Sequence, residues 1–185
     1  GNYGVNDTPI YSAAGDLNGD NKADLVVANY NGNNLSVLFG NGDGTFQPEV
    51  RIPTSARPDH VLIRDLNGDA KPDILVTYVD ESSIAIFLGN GDGTFLAESD
   101  FNAGDGPSSA VIGDFDLDGK LDVAVANEED NISVLKGNGD GSFQSPVSTD
   151  IGMYPTCIAA GYFDNDGDVD FAVTDWGLYD LRIVV

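Results

Sequence analysis

The chain has 185 residues, with 8 basic against 31 acidic side chains and a formal charge of −23. This is a one-domain length, and 41% hydrophobic residues allow a packed core, so the acidity does not signal disorder. The charge disfavours nucleic acid and anionic membranes as partners, and a single cysteine, Cys157, excludes an internal disulfide.

Residues 1–8 read as the end of a preceding or closing outer strand. Four repeats follow, each opened by a proline (Pro9, Pro58, Pro107, Pro155) that stands seven residues before an acidic loop. The loops carry oxygen-bearing side chains at positions 1, 3, 5 and 9. They are Asp16, Asn18, Asp20 and Asp24; then Asp65, Asn67, Asp69 and Asp73; then Asp114, Asp116, Asp118 and Asp122. The three first positions are 49 residues apart. A fourth copy keeps Asp164, Asp166 and Asp170 but begins with Tyr162. Behind each loop lies an apolar stretch: Leu25-Val26-Val27, Ile74-Leu75-Val76, Val123-Ala124-Val125 and Phe171-Ala172-Val173. A Gly-Asn-Gly-Asp-Gly-Thr/Ser-Phe block then stands at 40–46, 89–95 and 137–143.

Short β-branched runs bounded by Gly, Asn and Asp predict strands, and no helical period is sustained. Each repeat predicts four of them; in the second repeat they fall at 60–64, 73–78, 84–88 and 95–101. Proline at the start of the first strand is tolerated there and would not be in its middle. Four antiparallel strands in this length form a propeller blade. The fold class is therefore all-β, a β-propeller with blades at 9–56, 58–105, 107–153 and 155–185. The last blade ends at 181–185, in the register of a third strand, without turn or outer strand. Three arrangements fit: a four-bladed ring closed by residues 1–6, part of a larger propeller, or half of a ring of two chains associating through open blade edges.

Carboxylates packed this densely repel one another unless a cation sits among them. Calcium takes 6 to 8 hard oxygen ligands, and a nine-residue loop with a backbone carbonyl at position 7 supplies them. Position 7 is Lys22, Lys71 or Lys120, so only the backbone oxygen can serve, and the ammonium is expected to point to water. Three calcium sites are expected. A weak fourth would use Asp164, Asp166, the backbone oxygen of Asp168 and Asp170. An EF-hand is excluded, because position 12 is Val27, Val76, Val125 or Val173, inside a predicted strand. Zinc does not suit a chain with one Cys and one His.

Asp-Leu-Asn-Gly-Asp-x-Lys-x-Asp at 16–24 and 65–73, with the glycine blocks at 40–46 and 89–95, resembles the VCBS or FG-GAP repeat. That calcium-binding repeat occurs in integrin alpha-chain propellers, bacterial surface proteins and some fungal lectins. The resemblance covers nearly the whole chain. It implies propeller blades with calcium in the loop joining each blade's first two strands, and a role in adhesion, sugar binding or scaffolding. Position 6 departs from glycine at Asn21 and Ala70, where a left-handed backbone would strain the alanine.

The glycine blocks read as tight turns. His60, the sole histidine, reads as a strand residue rather than a catalytic one. Tyr30, Arg57, Tyr78, Tyr154 and Trp176 fall in loops at the other end of the strands, where aromatic rings can stack on a sugar or anchor a protein. The function expected is that of a non-enzymatic, extracellular or cell-surface module, calcium-stabilised and binding a glycan or protein, with no membrane insertion. The alternatives are a polysaccharide-active enzyme, or an accessory domain of one, and a structural spacer. Glu128, Glu129 and Asp130 read as a plain charged turn. Any export signal is expected outside this chain.

Overall fold

The computed structural model describes residues 1–152, 154–164, 166–177 and 179–184. Fifteen strands form four separate antiparallel sheets in chain order, three of four strands and one of three. The first sheet holds β1 (Pro9–Gly15), β2 (Asp24–Asn29), β3 (Asn34–Leu38) and β4 (Val50–Pro53). The second holds β5 (Val61–Arg64), β6 (Asp73–Tyr78), β7 (Ser83–Phe87) and β8 (Ser99–Asn102). The third holds β9 (Pro107–Gly113), β10 (Asp122–Asn127), β11 (Asn131–Leu135) and β12 (Val147–Asp150). The last holds β13 (Pro155–Gly161), β14 (Asp170–Asp175) and β15 (Asp180–Val184). These are propeller blades: β1, β5, β9 and β13 lie side by side in succession, and β4, β8 and β12 lie outermost and largely exposed.

The second strands of the two middle blades, β6 and β10, are buried along their whole length because both faces are covered, whereas β2 and β14 are fully covered on one face only. In β6, Ile74 and Val76 pack with Val26, Ala28, Leu35 and Val37 of the first blade, while Leu75 packs with Ala110, Val123 and Val125 of the third. In β10 the parity reverses in the same way, and Ala124 and Ala126 meet Ile158, Phe171 and Val173 of the fourth. Successive side chains point to opposite faces, so one strand serves two inter-blade cores. The small residues of the inner strands, Ala110 among them, let neighbouring blades approach.

The predicted strands hold, with shifts of one residue at β5 and β7 and larger differences at the fourth strand of the second blade and at the N-terminal segment. The fourth strand of the second blade starts at Ser99 rather than 95; Phe95 makes only an isolated bridge to Gly89, because the glycine turn takes up the intervening chain. Residues 1–8 form no strand, a stretch of Gly, Asn and Asp being poor at pairing. They also do not close a four-bladed ring. The Tyr3 ring packs edge-on against Phe46 at 5.3 Å, and its hydroxyl accepts the Phe46 N–H at 3.2 Å, so this segment joins the first blade. Among the described residues β15 pairs only with β14; Val185, included in the predicted strand, lies outside the described residues.

The glycine that opens each turn block is required by a close approach. A Cβ on Gly40, Gly89 or Gly137 would lie 2.1, 2.1 or 2.0 Å from the carbonyl oxygen of Ala23, Pro72 or Leu121. That oxygen belongs to rigid backbone at position 8 of the acidic loop, so it cannot step aside. Gly89→Ala is expected to destabilise the fold by about 3 kcal/mol or more, read as a lower midpoint in urea with an unchanged slope.

Candidate functional site

Each acidic loop is organised by its own carboxylates. Asp16 accepts the N–H groups of Gly19, Asp20 and Asn21 at 2.8, 3.1 and 2.7 Å. Asp65 does the same for Gly68, Asp69 and Ala70 at 2.8, 3.2 and 2.8 Å. Asp114 takes Asp118 and Gly119 at 3.0 and 2.9 Å. The side chain at position 3 accepts the N–H of position 5, and position 5 accepts that of position 7, throughout the three loops. The fourth loop keeps those two turns, Asp166 N–H to Asp164 and Asp168 N–H to Asp166, at 3.0 and 2.9 Å. Tyr162 at its head is exposed.

Position 9 behaves differently, and sequence reasoning undervalued it. Asp24, Asp73 and Asp122 are buried inside the blade. One oxygen of each accepts the N–H of position 2 (Leu17, Leu66, Phe115) at 2.9, 2.8 and 3.0 Å. The other accepts the N–H of the turn glycine (Gly40, Gly89, Gly137) at 2.8 Å in each blade. Burial pushes the Asp73 carboxyl up, against those two hydrogen bonds. In the fourth blade both Phe163 and Asp164 donate to Asp170 Oδ2, and Oδ1 is buried without a partner among the described residues. Position 2 was also missed: Leu17 and Leu66 are buried core residues, and Phe115 stacks edge-on against Phe171 at 5.1 Å.

The lysines at position 7 stay on the surface as expected, but each ammonium also pairs with a carboxylate of its own loop. Lys22 and Lys120 place Nζ 2.9 and 3.1 Å from the carboxylates of Asp20 and Asp118, and Lys71 sits 3.2 Å from Asp69. The nearest strong counter-charge lies two residues back, at position 5 of the same loop. The hydrogen bond from Lys22 holds the Asp20 carboxyl below the usual carboxylate range; for Asp69 and Asp118 the backbone N–H at position 7 is the larger cause.

All the donors are hard oxygens, the chemistry that calcium selects. Asp114, Asp116 and Asp122 bring carboxylate oxygens within 4.8 Å of one another, and so do Asp164, Asp166 and Asp170. Two oxygens bound to one calcium at about 2.4 Å each lie at most about 4.8 Å apart, so the spacing fits a single ion. The residues of the third and fourth loops therefore suit calcium by spacing, whereas those of the first two suit it by donor type, with no three of their carboxylates so closely grouped among the described residues.

The loops need two left-handed residues, at positions 4 and 6, where only position 6 was foreseen. The pairs are Gly19 and Asn21 (φ 76° and 60°), Gly68 and Ala70 (75° and 63°), and Leu117 and Gly119 (60° and 85°). Alanine at φ near +60° costs about 1 kcal/mol relative to glycine. Ala70→Gly is expected to raise stability by about that amount in a chemical denaturation series, with loop geometry unchanged.

At the opposite end of the strands the predicted ligand surface divides. The Arg57 guanidinium sits 4.8 Å over the Tyr30 ring and pairs with Asp80 at 2.5 Å. Tyr154 and Trp176 meet edge-on with ring centroids 6.3 Å apart, both exposed. Tyr78 does not belong to this surface. It is fully buried between blades, and its hydroxyl donates to Glu98 at 2.6 Å; burial, then Glu98, drives its phenol pKa upward. The aromatic pattern of β6 could not separate this core tyrosine from the exposed ones.

Between the two exposed pairs lies an open cavity of about 560 Å³ lined by Asp80, Asp105, Glu128, Glu129, Asp130 and Tyr154, among others. The supposed plain turn at 128–130 is thus one wall of an acidic cleft. Asp59 lies near it, its pKa raised to about 6 by burial, then by Glu128 and Asp80. His60 beside it is buried, stacked on Tyr11 at 4.0 Å between centroids, and burial lowers its pKa to about 4. The strand reading of His60 misses by one residue, since β5 begins at Val61.

A raised folded-state pKa means that Asp59 favours folding fully below its ordinary value near 3.8 and loses that contribution as pH rises through about 6. Asp59→Asn is therefore expected to raise the melting temperature most above pH 6, with the gain shrinking to nothing below pH 3.8.

A family model described as an FG-GAP-like repeat matches the sequence three times, at 16–76, 65–125 and 114–173. No curated protein matches it. Solved structures do. BBS1N in complex with ARL6DN, soaked with lead, is 16% identical with a TM-score of 0.63 over 97% of this chain. The same complex soaked with mercury gives 16% and 0.65 over 98%. The Photorhabdus luminescens Tc holotoxin pore gives 14% and 0.56 over 94%. The chain spans 57% and 58% of the two BBS1N chains and 9% of the toxin chain. At such identities the likeness concerns the fold alone, and it is the propeller fold.

Proposed function

From the premise that the chain belongs to the FG-GAP-like repeat family, we propose that it is a non-enzymatic, calcium-stabilised propeller module that binds a protein partner through its acidic cleft face. The observation that carries this reading is the grouping of accessible aromatics and dense acidic charge at one end of the strands. Arg57 stacked on Tyr30 and the Tyr154–Trp176 pair are the residue types that anchor interfaces, and they flank a cleft with five carboxylates on its walls. That charge suits a partner surface rich in Lys and Arg. The BBS1N structures, which share the fold, hold a protein partner, ARL6DN. The carboxylates of the acidic loops, by contrast, are engaged with their own backbone and suit a metal, which leaves them a structural role. An extracellular or cell-surface setting follows from the calcium demand of such loops, since the ion is abundant there.

A glycan is the second reading, favoured by one observation: Trp176 is 68% exposed beside Tyr154, a platform on which a sugar face can stack. Probing protein and glycan arrays with the labelled chain in calcium separates the two. Under the first reading, Glu128→Lys with Asp130→Lys abolishes binding to a basic protein while Trp176→Ala weakens it. Signal confined to glycans, lost in Trp176→Ala and indifferent to the charge reversals, would replace it with the second. Signal on neither array would leave the spacer reading in its place.

The metal component has its own test. A ligand at 100 times its dissociation constant adds about 2.7 kcal/mol per site. Melting in millimolar calcium is expected well above melting in chelator; equal midpoints would refute the calcium role.

A further inference from the structure

We propose that Lys136 is a tethered counter-ion of the third acidic loop, offsetting a carboxylate that the first two loops lack and weakening that loop's hold on a divalent cation. The inference rests on the calcium reading above.

Among the differences between the third blade and the first two, a pair changes charge beside the loop. Position 3 of the loop is Asn18 and Asn67 in blades one and two but Asp116 in blade three. The residue just before the turn glycine is Phe39 and Leu88 in those blades but Lys136 in the third. Phe39 and Leu88 rest on the following blade: a Cβ on Gly93 would meet the Phe39 ring at 2.6 Å, and one on Gly141 would meet Leu88 at 2.7 Å. Lys136 instead turns to its own blade's loop, with Nζ 2.7 Å from Asp116 Oδ2.

The other oxygen explains why the two changes belong together. Asp116 Oδ1 accepts the Asp118 N–H at 3.2 Å, as Asn18 and Asn67 Oδ1 accept those of Asp20 and Asp69, each at 3.0 Å. Oδ1 therefore holds the same turn in all three loops. Oδ2 stands where the asparagines have a neutral amide NH₂, and there it is an additional anionic oxygen. The ammonium of Lys136 supplies the missing positive charge and donor, so Asp116 and Lys136 together imitate an asparagine. Because Lys136 takes Oδ2, Oδ1 is left available to a metal, and the lysine acts by repulsion rather than by blocking. A monovalent charge facing a divalent ion about 6 Å away through water shifts affinity by roughly tenfold, and by less once salt screens it. Exposed pairs of this kind contribute little to folding, so removing the lysine leaves the fold in place.

The test is a calcium titration of the full chain, ¹⁵N-labelled, followed at the amides of Gly19, Gly68 and Gly119. Each donates to the first aspartate of its own loop, at 2.8, 2.8 and 2.9 Å, and so reports that loop separately. Lys136→Met is expected to tighten the Gly119 transition by roughly three- to tenfold at low salt, leaving Gly19 and Gly68 unmoved, with the difference shrinking as salt is added. Adding Asp116→Asn to that variant should bring the Gly119 midpoint to those of the other two loops. An unchanged Gly119 midpoint in Lys136→Met, or a weaker one, with Gly19 and Gly68 still responding, overturns the counter-ion alone. If no amide responds to calcium, the calcium reading fails and this inference with it.

Discussion

The structure depends on one repeated interaction, the buried aspartate at position 9 whose two oxygens receive backbone N–H groups from two separate segments. A carboxylate withdrawn from water is costly unless its lone pairs are satisfied. Here the donors come from the start of the acidic loop and from the turn glycine, so the charge is stable only when loop, second strand and turn are assembled together. The same latch reaches the neighbouring blade: Gly93 of the second blade's turn donates its N–H to the carbonyl of Leu17 in the first loop at 3.1 Å. Leu17 in turn is buried in the core shared by those blades. Polar latch and apolar core thus meet at one residue, Leu17.

The two ends of the strands use acidity in opposite ways. At the loop end, the turn aspartates Asp43, Asp92 and Asp140 are each bonded to the Thr or Ser two residues on, and the loop carboxylates to backbone N–H groups or to lysines. Their charge is spent on shaping the chain. At the cleft end, Glu128, Glu129 and Asp130 crowd one wall, and burial, followed by the charges of Glu128 and Asp80, raises the Asp59 pKa to about 6. Charge left facing solvent destabilises the free protein and is available to a complementary partner. That contrast is what the proposed division of roles rests on, structure at the loop end and recognition at the cleft end.

Most of the architecture was legible because the repeat spells it out. The prolines, the acidic loops and the glycine blocks mark strand starts, connections and turns, and the apolar stretches behind the loops became the central strands to the residue, as with Asp73–Tyr78. What could not be read is what depends on neighbours in space. Tyr78 has the same letter as Tyr30 and Tyr154, yet its place in β6 buries it between blades. Lys136 lies 20 residues from Asp116, and nothing in the spacing announces that they touch. Residues 1–8 carry the register of an outer strand, but register alone supplies no partner edge, and Tyr3 found Phe46 instead.

The left-handed residues show how tightly the loops are determined. Each intact loop needs two, and each sequence provides one glycine, at position 4 in the first two loops and at position 6 in the third. The remaining place is held by Asn21, which tolerates that backbone, or by Ala70 and Leu117, which do not. A strained residue persists only where its surroundings over-determine it. In these loops the determinant is the first aspartate: it gathers the N–H groups that the left-handed turns direct inward, Ala70 among them at 2.8 Å. Strain at positions 4 and 6 is thereby offset by hydrogen bonds at position 1. The fourth loop, with Tyr162 in that place, has left-handed Gly167 but no carboxylate at position 1, so among the described residues its amides are held by Asp164, Asp166 and Asp170.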